Sequence, residues 1–102
     1  MYYNAVRVIS VEELVWDAWN VGHIAVHGLS PDDVEEVCRG DFWASETYAG
    51  RLRVVGPNAS GNLLTVILAP QQQAGVYYVV TARPAARKER RRYRELKGGG
   101  DS

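Results

Sequence analysis

The apolar positions of this chain change period partway along. From residue 16 to 39 they recur every three or four positions, and from 42 to 82 they follow the shorter period of strands. Asp17 is a good N-cap, and Trp16, Trp19, Asn20, His23, Ile24 and His27 keep helical spacing until Gly28. This predicts a first helix over residues 18–27. Ser30-Pro31-Asp32-Asp33 then combines a capping hydroxyl, a proline at the first helical position and acids on the dipole's positive end. A second helix follows to Arg39, burying Val34, Val37 and Cys38 and stopping at Gly40. Residues 1–11 are ambiguous: Val6 and Val8 alternate like a strand, whereas Ser10 and Glu13 have the spacing of a capping box. Extended structure ending near Trp16 is the favoured reading.

Residues 42–48, 51–55, 63–69 and 76–82 are rich in Val, Leu, Ile, Tyr and Thr and are separated by short turn sequences containing glycine, proline or asparagine. Such connections predict an antiparallel meander of about four strands, with or without a short N-terminal strand. Pro84 is placed to open a third helix, on which Ala85, Ala86, Glu89, Tyr93 and Leu96 outline a narrow, mostly apolar stripe. The fold class is therefore α+β, with two N-terminal helices, an antiparallel sheet and a basic C-terminal helix. One domain over residues 1–97 accounts for the chain, and the glycine-rich 98–102 is expected to be a disordered tail.

Charge alters this picture. The 102 residues are formally neutral, yet four bases face nine acids up to residue 82, a net of −5, and eight bases face three acids from Arg83 onward, a net of +5. Arg87, Lys88, Arg90, Arg91, Arg92, Arg94 and Lys97 are too many cations for Glu89 and Glu95 to pair. Guanidinium groups at this density suit phosphate, which they bind through paired hydrogen bonds; an acidic partner protein or a solvated face are the other readings. Arg51 and Arg53 alternate with Leu52 and Val54 and so project from one sheet face, either into solvent or towards a substrate. Tyr48, Tyr77, Tyr78 and Tyr93 are aromatic candidates for base stacking or for packing.

His23 and His27, spaced i, i+4, are close enough to share a proton-transfer task. At least one is expected to be a hydrogen-bonded core residue, and His27, beside a glycine turn, is the better functional candidate. Cys38 is the single cysteine and no HExxH-type context surrounds the histidines, so neither a metal nor another cofactor is expected. No run approaches the roughly 18 to 20 apolar residues of a membrane span, and the start lacks a signal-peptide layout. A soluble, cytoplasmic protein with no membrane partner is the expectation.

Trp16-Asp17, His27-Gly28-Leu29-Ser30 and Thr81-Ala82-Arg83-Pro84-Ala85-Ala86-Arg87-Lys88-Glu89-Arg90-Arg91-Arg92-Tyr93 together resemble the BrnT toxins. The resemblance spans residues 16–95, and its Ala-Arg…Glu-Arg-x-x-Tyr portion is the more specific part. It implies a RelE-like fold and a ribonuclease toxin of a type II toxin–antitoxin system that arrests translation. It also implies neutralisation by a BrnA-like antitoxin, with homo-oligomers inside that complex as an allowed assembly. His27, Arg83, Glu89, Arg90 and Tyr93 match the family pattern. Where the family usually carries lysines in its first helix, this chain has Trp19 and Val26.

Metal-independent cleavage would proceed by attack of a ribose 2′-OH on the adjacent phosphate. His27 is then the expected general acid or base, Arg83 and Arg90, with Arg51 or Arg53 as a further candidate, the phosphate-stabilising groups, and Tyr93 a supporting contact. Arg51, Arg53, Arg87, Lys88 and Arg91 are the expected RNA-binding residues. Arg83→Ala is expected to abolish cleavage while sparing the fold. The alternative is a toxin-like module that binds nucleic acid or an acidic protein without catalysis.

Overall fold

The computed structural model describes residues 6–98. Two short strands come first, β1 (Val6–Arg7) and β2 (Glu13–Val15), followed by helices α1 (Ala18–Ala25) and α2 (Pro31–Arg39). Four further strands, β3 (Trp43–Glu46), β4 (Leu52–Pro57), β5 (Leu63–Pro70) and β6 (Val76–Pro84), lead into α3 (Arg87–Lys97). The sheet is six-stranded in the order β1-β3-β4-β5-β6-β2, antiparallel throughout except that β2 runs parallel to β6.

This corrects the expected architecture of two N-terminal helices leading into four antiparallel strands. The helices are preceded by strands that occupy the two edges of the sheet, and the sheet is mixed. The reason lies in strand length. Both side chains of β1 are exposed and only Leu14 of β2 is buried, so extended structure was legible here but the edge each strand occupies and its pairing direction were not. Tertiary pairing holds them instead: the Gly75 carbonyl accepts hydrogen bonds from the Glu12 and Glu13 amides, and the buried Asn20 side chain donates to the carbonyls of Val15 and Val79.

The helices follow their local signals more closely. Asp17 and Asn20 form a reciprocal capping box for α1, as do Ser30 and Asp33 for α2, each satisfying amides that a helix start leaves free. Helix α1 ends at Ala25, short of the expected residue 27, and the chain turns through Gly28 at φ +76°. Pro84 closes β6, paired with Leu64, rather than opening α3. That helix begins at Arg87, where the Glu89 side chain caps the Ala86 amide. Gly98 is its C-cap; residues 99–102 of the expected tail, like residues 1–5, lie outside the described part.

Alternate residues of the central strands enter two separate cores. Ala44, Val54, Leu64, Val66, Leu68, Val79 and Ala82 pack with Ile24, Val34 and Val37 beneath α1 and α2. Trp43 and Val55 pack with Ala85 and Tyr93 on the face that carries α3. The second core is the smaller and contains the polar row on which α3 sits. Register aligns Trp43, Val55, Thr65 and Arg83 across four strands, with Ser45 and Arg53 paired in the next row.

Candidate nucleic-acid interface

Glu89 organises the underside of α3. It is 8% exposed, and its carboxylate accepts hydrogen bonds from Thr65 Oγ1 at 2.7 Å, from Arg83 Nη1 and Nη2 at 2.8 and 3.0 Å, and from the Ala86 amide at 2.8 Å. Arg53 Nη1 stands 3.8 Å away. Burial pushes this carboxyl's pKa up, but the hydrogen bonds from Arg83, Ala86 and Thr65, with the Arg83 charge, outweigh it and bring the value down from 4.5 to about 2. The same hydrogen bonds raise the Arg83 guanidinium's pKa against the opposing effect of its own burial. Glu89 belonged to the apolar stripe of the sequence reading; it occupies a core position because three donors meet it there.

Arg83 is therefore a structural group as well as a candidate contact. Its bidentate pair with Glu89 and its bond to the Pro84 carbonyl engage Nη1 twice and Nη2 once. Removing it would strand a buried carboxylate, which corrects the expectation that Arg83→Ala spares the fold. Tyr93 is also engaged. Its hydroxyl donates to the Asp41 carbonyl at 2.6 Å, and Lys97 pairs with the Asp41 carboxylate at 2.7 Å, tying the end of α3 to the β3 approach. Burial, then the Asp41 charge, raise the Tyr93 pKa, with Lys97 opposing.

The outer face of α3 is cationic. Arg87, Lys88, Arg90, Arg91 and Arg94 are exposed, and Arg90 Nη1 also donates to the Ala85 carbonyl at 2.7 Å. Arg51 lies just before β4 with its guanidinium 5.3 Å from the Tyr48 ring, whereas Arg53 lies on the α3 face, 5.7 Å from the Trp43 ring. The two expected sheet arginines thus serve different surroundings.

Both histidines are exposed, so the expected core histidine is absent from α1. His23 stacks on Trp19 with ring centroids 4.7 Å apart, and the buried polar position on this helix belongs to Asn20. Asparagine wins that place because its amide can bridge two strand carbonyls at once. His27 sits in the turn between α1 and α2. Two residues on, Leu29 joins Asn58, Asn62, Pro84, Ala85 and Arg90 around a groove of about 320 Å³. The α1–α2 turn, the β4–β5 loop and the β6–α3 junction therefore meet at one end of the sheet.

Sequence reasoning missed Trp43, Thr65 and Asp41. Thr65 and Trp43 carried a readable clue in their strand positions, but only the register shows that they share a row with Arg83. Among the described residues no three His, Cys, Asp or Glu side chains are grouped to hold a metal ion, and no helix is long and apolar enough to cross a membrane. No family model, curated protein or solved structure matches this chain.

Proposed function

We propose that this protein is a cytoplasmic ribonuclease toxin of a type II toxin–antitoxin pair, cleaving RNA without a metal and held inactive by a partner antitoxin. The observation that carries this reading is the groove joining the α1–α2 turn, which holds His27, with the β6–α3 junction and with Arg90 of the cationic helix α3. The BrnT-like run from Thr81 to Tyr93 supports it from the sequence side.

In this mechanism the α3 cations collect the RNA backbone, as counterion release favours. A phosphate at the groove receives hydrogen bonds from Arg90, which strengthen as negative charge builds in the transition state, while Arg83, one residue before the groove-lining Pro84, adds its positive charge. His27 moves the proton of the attacking 2′-OH or of the leaving oxygen. Glu89 positions Arg83 and touches no substrate.

The test is cleavage of single-stranded RNA in EDTA, with binding followed as salt rises. Cleavage in EDTA, lost by about 10² or more in His27→Ala while RNA affinity stays within a few-fold, is the expected result. RNA binding that is flat between low and moderate salt would refute the polyanion reading. A second reading, a binding module without catalysis, is favoured by the commitment of Arg83, Glu89 and Tyr93 to internal bonds. It predicts salt-sensitive binding, no cleavage and no effect of His27→Ala.

A further inference from the structure

Among the described residues, three buried side-chain atoms on the α3 face have no hydrogen-bond partner: Trp43 Nε1, Ser45 Oγ and Arg53 Nε. They belong to adjacent positions. Trp43 and Ser45 are two residues apart on β3 and so share a face, and Ser45 is the direct cross-strand partner of Arg53 on β4. All three atoms can donate, and Trp43 Nε1 and Arg53 Nε can only donate. An isolated orphan of this kind is a local, destabilising defect. Three unpartnered donors on neighbouring positions of one sheet face share one remedy, an acceptor with several oxygens.

The charge around them selects the same ligand. The guanidinium carbons of Arg53 and Arg92 lie 5.7 and 5.9 Å from the Trp43 ring centroid, so two cations converge over one indole. Glu89, 3.8 Å from Arg53, is paired at shorter range with Arg83. Trp43 and Ser45 are 5% and 2% exposed, whereas the Arg53 side chain is 32% exposed. The cover over the donors thus includes a long, partly exposed side chain that can swing outward while its charge remains beside the site.

We propose that Trp43, Ser45 and Arg53, with Arg92 over the indole, form an oxyanion site on the sheet that takes a phosphate group. Its ligand is tetrahedral and held by three donors: the indole N–H and the Ser45 hydroxyl donate from the sheet, and Arg53 donates through Nε and closes over the anion. The site deepens the RNA reading by naming where a backbone phosphate seats, and it rests on that reading only for RNA as the source. A free phosphate or a phosphorylated small molecule presents the same chemistry.

The indole N–H resonance of Trp43 in ¹⁵N-labelled full-length protein reports the site directly, assigned through Trp43→Phe. Inorganic phosphate titrated at constant ionic strength should shift it saturably. The resonances of Trp16, whose Nε1 donates to Glu35 at 2.9 Å, and of the exposed Trp19 should stay in place. Ser45→Ala and Arg53→Met should each weaken phosphate binding about tenfold, the loss expected for one charge-assisted or buried hydrogen bond, and Arg94→Met should not. Single-stranded RNA should move the same resonance and compete with phosphate.

A Trp43 resonance indifferent to phosphate, or unchanged affinity in folded Ser45→Ala and Arg53→Met, would overturn the site. RNA that binds without moving Trp43 would overturn it as an RNA subsite while leaving the RNA reading standing. Saturable phosphate binding with no RNA binding anywhere would uphold the oxyanion site and remove RNA as its source. The wild-type titration decides the matter even if a variant fails to fold.

Discussion

Replacing Glu89 with glutamine removes the one buried charge beneath α3 and keeps its shape. The carboxyl's fall from 4.5 to about 2 corresponds, at about 1.4 kcal/mol per pKa unit, to an upper bound near 3 kcal/mol of stability at neutral pH. Glu89 is buried, but the Arg83 side chain is 39% exposed, so screening lowers the expected loss to about 2 kcal/mol. The sign follows from the direction of the shift. A carboxyl with a depressed folded pKa stabilises fully above its unfolded value and loses that contribution as pH falls towards the folded one. Urea unfolding followed by tryptophan fluorescence should place wild type about 2 kcal/mol above Glu89→Gln at pH 7, with the gap closing from about pH 5 to about pH 2. A gap that stays constant across that range would refute an ionised Glu89 as the anchor of α3.

Two further outcomes test the other face and the sheet edge. Burial and then the Glu35 charge push the Cys38 thiol up to about 12 against the opposing Arg39, so alkylation at pH 8 should be at least about 100-fold slower in the native protein than in urea; rapid native labelling would contradict the packing beneath α2. Gly75 has φ +84° and a Cβ there would lie 2.5 Å from Glu12 Cγ, so Gly75→Ala should cost about 1–2 kcal/mol and speed amide exchange at Glu12 and Glu13; an unchanged melting temperature would argue against the β2–β6 pairing.

The local signals that proved sufficient were those whose partners lie within one turn. Ser30 and Asp33 cap α2 across three residues, and Asp17 and Asn20 do the same for α1, so both helix starts were legible. The central strands were legible because each presents several alternating apolar residues to a core. The places of edge strands β1 and β2 were not, because their pairing partners lie about forty and sixty residues away and their own patterns are two and three residues long. Extended structure up to Trp16 and a short N-terminal strand were within reach of the sequence, but not that two strands would take opposite edges and make the sheet mixed.

For the candidate site the division is sharper. The amino-acid order alone determined that cations concentrate after Arg83, that Glu89 falls within the stripe of α3 that packs inward, and that His27 stands beside a turn. Which cations remain available, and which are held by a carboxylate, was decided by tertiary structure: Arg83 meets Glu89 and Thr65 because β5, β6 and α3 converge, and Arg53 meets Ser45 and Trp43 through strand register. The physical reason is range. Helix capping and strand alternation are set by neighbours along the chain, whereas burial, pairing and the pKa of a charge depend on groups that the fold brings together from distant positions.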